Sequence, residues 1–335
     1  MAELTAQSTP WGDPGWREQA LTWAQKGVAE HGATVLDVAE PRFRPWSVTM
    51  RLRTDRGPVW FKANPPGSRF EPALAEALSE WVPGQVLTPW AVDAAHGWSL
   101  LPDGGPILAQ VLDARPDLSM WEDVVRQYAL LQRALVPHVA GLLAIGVPDL
   151  RATRLPARFA EIAASEPVRR QVGARDGISL EQYARLCAAE PLREWCERLA
   201  ASPVPPTLDH SDLHDAQVFA ADDGRFVFFD WGDAAIGHPF TSLLVVLRSA
   251  ANRFGPEADL GRLRDAYLEP WTAEHPVADL RADLELAIRL GGIARAASWW
   301  SVFPEAAHVL DGDHGRWAAL WLLHVLVAKD VVRSP

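Results

Sequence analysis

Hydrophobic positions in the first hundred residues change period several times. The changes mark a helix, a run of strands, a second helix and two more strands. Residues 14–31, PGWREQALTWAQKGVAEH, bring Trp16, Ala20, Trp23 and Val28 near one face, which is helical spacing. Asp13 stands at its N-cap, Pro14 in its first turn, and Gly32 ends it. Strand-like segments follow at 33–40, 46–54 and 58–63. The second alternates most clearly, with Val48, Met50 and Leu52 on one side and Thr49, Arg51 and Arg53 on the other. Asp55-Arg56-Gly57 turns the chain into the third. Residues 70–82 return to helical period through Leu74, Ala77, Leu78 and Trp81. Segments 87–94 and 97–102 read as two more strands before Pro102-Asp103-Gly104-Gly105 breaks the chain.

Beyond the break the pattern is mainly helical. Residues 121–136 form an amphipathic helix through Val124, Tyr128, Leu131 and Leu135, and 142–156 read as a loop with two prolines. Helices are expected at 157–172 and 179–201, and most of 260–335 has helical spacing. One stretch differs. Between VFA and RFVFFD lies Asp222-Asp223-Gly224, a hairpin signal between two short apolar strands.

Composition narrows the class. A chain of 335 residues can bury one large core or two lobes, and 48% hydrophobic with 22% charged residues is ordinary for a globular protein. A formal charge of −11 argues against nucleic acid as a partner and is compatible with a cationic small molecule. Cys187 and Cys196 fit no zinc or redox motif, and so few cysteines suit a reducing cytoplasm. The first residues lack the basic and apolar regions of a signal peptide, and no apolar run reads as a membrane span, so no membrane partner is expected. A monomer or homodimer is expected. The 16 tryptophans read mostly as core residues.

The hairpin organises the candidate chemistry. Residues 208–234 read LDHSDLHDAQVFAADDGRFVFFDWGDA, so the loop before the hairpin carries His210, Asp212 and Gln217 and the loop after it carries Asp230. Closing the hairpin lets Asp212, Gln217 and Asp230 converge. Oxygen ligands without thiolates suit a hard cation such as Mg2+. A carboxylate left free of metal can take a proton from a hydroxyl, and together these are the parts of a phosphoryl-transfer site.

HSDLHDAQ followed by DWGDA resembles the catalytic segments of the aminoglycoside phosphotransferase family, small-molecule kinases of protein-kinase-like fold, in which HGDLHPGN precedes a D-W or D-F segment. The resemblance implies an α+β, two-lobed fold: a small N-terminal nucleotide-binding lobe with an antiparallel sheet, residues 1–102, and a larger, mostly helical catalytic and acceptor-binding lobe, residues 103–335. It implies that Asp212 is the catalytic carboxylate, that Gln217 and Asp230 hold Mg2+, and that His210 is structural. Lys62, a lone cation in an apolar strand, would orient the phosphates of ATP or GTP. Glu71, followed by Leu74 and Leu78 at the family's spacing, would hold it in preference to Glu76.

No G-x-G-x-x-G is present. The turn 41–46, PRFRPW, stands in its place, with Ser47 as a phosphate contact, and backbone groups at Leu100–Pro102 would meet the base. The implied reaction moves the γ-phosphate to a hydroxyl of a small molecule, an aminoglycoside or another sugar-like compound. The late helices supply a pool of acceptor contacts: Asp265, Glu269, Asp279, Asp283, Glu285, Trp271, Trp299 and Trp300.

Three departures from the family pattern stand out. Gln217 replaces the metal-binding Asn with a stem one methylene longer. His238 replaces an acid and Ser242 an Asp in the stretch after the metal segment. The alternative to an active kinase is a nucleotide-binding pseudokinase in which Gln217 has ended transfer. A protein kinase is disfavoured, because GHPF follows Asp230 too soon for a long activation loop.

Overall fold

The computed structural model describes residues 11, 13–44, 46–221, 223–255, 257–302 and 312–327. Pro45, Asp222 of the hairpin turn and the end of the last helical segment, 328–332, lie outside the described residues.

The N-terminal part is a six-stranded antiparallel sheet covered by one helix. Helix α1 (Pro14–Glu30) is capped as expected, with the Asp13 carboxylate accepting from Gly15 N at 2.8 Å. Strands β1 (Val35–Val38), β2 (Arg42–Arg44), β3 (Ser47–Thr54) and β4 (Gly57–Ala63) follow. Then come α2 (Glu71–Trp81), β5 (Ala91–Asp93) and β6 (Trp98–Pro102). The sheet order is β1-β3-β4-β6-β5, with β2 also on β3. Residues 41–46 are therefore not a plain turn. Arg42–Arg44 pair with Ser47–Thr49, and both arginines point to solvent.

Period two sorts this sheet into an oily face and a working face. Val48, Met50 and Leu52 of β3 stand opposite Ala63, Phe61 and Val59 of β4, and all six are buried. Trp98 and Leu100 of β6 continue the layer. Helix α1 seals it with Ala20, Ala24 and Val28, and Trp23 meets Phe61 and Trp98 edge-on at 5.9 and 5.8 Å. Lys62, one position out of phase with Phe61, must point the other way, into the cleft.

The remaining chain is mostly helical. It comprises α3 (Leu108–Ala114), α4 (Leu118–Leu135), α5 (Val139–Ile145), α6 (Leu155–Ala164), α7 (Glu166–Arg169), α8 (Leu180–Ala188) and α9 (Leu192–Ala200). Four short strands interrupt it: β7 (Thr207–Asp209), β8 (Val218–Ala220), β9 (Phe226–Phe228) and β10 (Ala235–Gly237). Helices α10 (Leu243–Phe254), α11 (Leu260–Leu268), α12 (Val277–Ser301) and α13 (Gly312–Val327) complete it. Leu74 and Leu78 of α2 pack into this larger core, beside Val82 and Val86, and not into the sheet's core.

Residues Leu118–Ile145 are long and apolar enough, by length and composition, to cross a membrane, contrary to the reading of the sequence. In the fold they break into α4 and α5. Tyr128 and Gln132 of α4 are fully buried and hydrogen-bonded under the catalytic loop, as in the core helix of a globular lobe. Of the 142–156 segment read as loop, residues up to Ile145 belong to α5, closed by Gly146 in the left-handed region (φ 99°).

The two parts also touch at the end of α12. Gly67 N donates to Val302 O at 3.3 Å, and Val302, just past α12, is buried in the sheet's core. A Cβ on Gly67 would stand 1.8 Å from Ser301 O, so only glycine fits without moving backbone. Gly67→Ala should therefore destabilise the protein by about 1–3 kcal/mol, read as a lower denaturation midpoint in urea. An unchanged midpoint would show that this contact does not form.

Candidate active site

Hydrogen-bonding register brings the catalytic segments together. Strands β8 and β9 pair Val218 with Phe228 and Ala220 with Phe226, which seats Gln217 beside Phe229; Phe229 N donates to Gln217 O at 3.2 Å. Strand β7 pairs with β10, Asp209 opposite Ala235, and this fixes the loop carrying Asp212. The two loops share a backbone feature. Ser211 (φ 62°) and Asp230 (φ 64°) both lie in the left-handed region, sparsely populated by non-glycine residues. Ser211 stands where the HGDLHPGN pattern has glycine.

At the centre Lys62 Nζ donates to Glu71 Oε1 and Oε2 at 2.8 and 2.6 Å and to Asp230 Oδ1. Burial works against the Lys62 charge, but Asp230 and Glu71 outweigh it and raise the pKa. Glu71 is raised, first by burial, with Asp230 adding repulsion against the pull of Lys62. Asp230 pays a burial penalty too, yet Lys62 and a hydrogen bond from Gln217 hold it below the usual carboxylate range. Glu71, not Glu76, is the partner.

Asp212 faces the same cavity and is held by a residue the sequence reading missed. Arg295 Nη2 lies 3.0 Å from Asp212 Oδ1, while Nη1 lies 3.0 Å from Asp233 Oδ2 and donates to Ser211 O at 3.2 Å. Burial pushes the Asp212 carboxyl up to about 6, and Arg295 limits the rise. A signal for Arg295 exists in the sequence: one arginine in the run LGGIARAASWW, where a buried cation needs carboxylates.

His210 is fully buried, and its ring bonds the loop after the hairpin and not its own. Its Nε2 donates to Phe229 O at 2.9 Å, its ring lies 4.7 Å from that of Trp231, and burial lowers its pKa, so it stays neutral. Its backbone N donates to Tyr128 Oη at 2.9 Å.

The two other departures from the family pattern have compensations. Ser242 replaces an acid, and the acid is instead Asp209, one residue before His210. Buried Asp209 accepts from Ser211 N at 2.8 Å, from Ser211 Oγ at 3.1 Å, from Thr241 Oγ1 at 2.7 Å and from Ser242 Oγ. His238 caps the next turn by accepting from Phe240 N at 3.3 Å, and burial depresses it to about 3.

A cavity of about 300 Å³ joins these groups; Ser47, Lys62, Asp212, Gln217 and Asp230 all line it. Glu71 stands behind Lys62, and Leu100 and Pro102 lie outside it. Leu100 is fully buried, its carbonyl accepts from Trp90 N at 2.7 Å, and Pro102 has no N–H to give. Of the acceptor pool, Trp299 and Trp300 reach the cavity. Asp265, Glu269 and Glu285 pair instead with Arg281, Arg126 and Arg264, Asp283 accepts from Ser202 Oγ, and Trp271 is core.

Residues 46–280 match the phosphotransferase enzyme family abbreviated APH, well over half of the chain. The fold is shared with solved small-molecule kinases. Plasmodium vivax ethanolamine kinase superposes with a TM-score of 0.59 at 10% identity, covering 86% of this chain and 82% of its own. Choline kinase from Cryptosporidium parvum gives 0.58 at 13% identity, covering 92% and 94%. The macrolide 2′-phosphotransferase of Brachybacterium faecium gives 0.54 at 16% identity, covering 91% and 98%. No curated protein sequence matches significantly. The chain belongs to the APH phosphotransferase family. It is a small-molecule kinase whose acceptor group is an alcohol.

The Asp212–Arg295 pair predicts a pH dependence. If the ionised Asp212 carboxylate serves as the base, kcat/KM should fall as pH drops through about 6. Arg295→Met removes the cation that holds the pKa down, and the acid limb should move up by about one unit or more. A limb that stays in place in the variant would show that Arg295 does not tune Asp212.

Proposed function

We propose that the protein transfers the γ-phosphoryl group of ATP or GTP to a hydroxyl of a small, sugar-like molecule. The observation that carries this reading is the sharing of Lys62 between Glu71 and Asp230, with Asp212 on the same cavity wall. The reaction is mainly positioning and charge stabilisation, and the residues divide those tasks. Lys62, braced by Glu71, orients phosphate oxygens. Ser47, at the start of β3, lies on the cavity wall on the same side.

Asp230 and Gln217 offer a carboxylate and an amide oxygen, the hard donors that suit Mg2+. The donor set fits: Asp230 is held below the usual carboxylate range, its side chain is 40% exposed, and it lines the cavity. When bound there, Mg2+ would neutralise charge on the phosphates. Asp212 positions the acceptor hydroxyl and takes its proton, while Arg295 fixes the carboxylate and keeps it ionised near neutral pH.

The pseudokinase alternative rests on Gln217 failing at its position. That Gln217 and Asp230 line one cavity supports the active reading. Cys187 and Cys196 are free thiols, in keeping with a cytoplasmic setting.

The test is turnover of MgATP and MgGTP against a panel of hydroxyl acceptors. Asp212→Asn should lower turnover by about 10²–10⁴-fold while keeping the nucleotide-dependent rise in Tm. Gln217→Asn should keep activity, and Gln217→Ala should weaken the magnesium requirement's saturation. Nucleotide binding with no transfer to any acceptor would establish the pseudokinase instead.

A further inference from the structure

The cavity has two ends of different chemistry. The phosphate end is ionic. The other end is a corner of tryptophans: half-exposed Trp46 stands edge-to-face with Trp299, ring centres 5.8 Å apart and planes at 76°, and Trp300 follows on α12. Trp299 is backed by Trp317, stacked at 6.1 Å, and by His314 edge-on at 5.6 Å. Such backing holds the wall in place, as a binding surface requires.

The pairing of charges at this end disfavours a cationic acceptor. Among the described residues lining the cavity, the acids are Asp212, Asp230 and Asp233. Each is already ion-paired inside it: Asp212 and Asp233 with Arg295, Asp230 with Lys62. Among the described residues, an ammonium group entering beside the tryptophans finds no carboxylate without an ion-pair partner. It meets a cation instead. Arg158 lines the cavity, with its guanidinium 5.5 Å from the centre of the Trp300 ring, and Glu161 holds it at 2.8 Å. The Trp300 face that could bind a quaternary ammonium by cation–π attraction is therefore already used.

We infer that the acceptor is an uncharged hydroxylated ring, a neutral sugar, that lays a C–H face against the Trp46–Trp299 corner and takes polar contacts from Arg158. The inference rests on the phosphotransferase reading above and narrows it. Aromatic faces attract the weakly positive C–H groups of a saturated ring, and the corner adds apolar burial. Guanidinium N–H groups supply directional donors to ring hydroxyls. The hydroxyl presented to Asp212 then lies at the boundary between the two ends.

The experiment uses the full chain with MgATP and matched acceptors: glucose and maltose against glucosamine, kanamycin, choline and ethanolamine, with product mass and ADP release as readouts. The neutral sugars should be preferred in kcat/KM by about tenfold or more, the scale of one lost or gained pairing. Trp299→Ala and Trp300→Ala should raise the KM for the sugar by about tenfold, leave the KM for MgATP unchanged, and be partly rescued by Phe. Arg158→Glu should shift the preference towards glucosamine, and this variant keeps the tryptophan wall intact.

Preference for kanamycin, choline or another amine overturns the inference and leaves the kinase reading standing. So does a lack of transfer to either neutral sugar while MgATP still raises Tm. Loss of the MgATP-dependent Tm shift in the unmodified protein would remove the kinase reading, and the inference with it.

Discussion

Everything in the cleft is arranged around one desolvated ammonium group. Lys62 comes from the sheet, Glu71 from the helix that packs on the larger core, and Asp230 from the loop after the β8–β9 hairpin. None of the three is stable buried alone, because a buried charge without a partner costs several kcal/mol. Their mutual pairing therefore fixes the spacing of three elements from two different cores. The triad carries one more negative than positive charge, which suits a site built to receive a metal cation with its phosphates.

A second set of charges holds the catalytic loop. Arg295 joins Asp212 to Asp233, and Asp209 gathers donors from Ser211, Thr241 and Ser242. Tyr128 and Gln132 extend this set into the core: Tyr128 Oη meets Ser242 Oγ at 2.9 Å, and Gln132 Nε2 donates to Leu208 O and Pro239 O at 2.9 and 3.1 Å. The polar groups under the loop are thus tied to backbone as well as to each other. Such a network allows the residue types to be exchanged between positions while the loop keeps its shape. Asp209 and Ser242 meet within it.

Much of this was legible in the sequence because it is local. Lys62 stood out as a lone cation in an apolar strand. The Asp-Gly turn signalled the hairpin, and the Glu71-Leu74-Leu78 spacing named the right partner. What stayed hidden depends on distant packing. Arg295 reaches Asp212 only because α12 runs under the catalytic loop, and Trp46 and Trp299 meet across more than two hundred residues. Strand β2 was obscured by flanking prolines and arginines, which read as turn and solvent. The acidic residues of the late helices looked like substrate contacts, yet arginines on neighbouring helices claim several of them.

The bond from Gly67 to Val302 has a mechanical consequence. The sheet is joined to the rest of the molecule by the connection after β6, and this bond is a further attachment, made at the end of α12. Helix α12 runs from that attachment back through Trp300, Trp299 and Arg295. A sheet that swings about the β6 connection must therefore either break the bond or drag the end of α12 with it. In the second case one lever moves the tryptophan wall and the arginine behind the catalytic carboxylate together, so the donor and acceptor halves of the cleft cannot open independently.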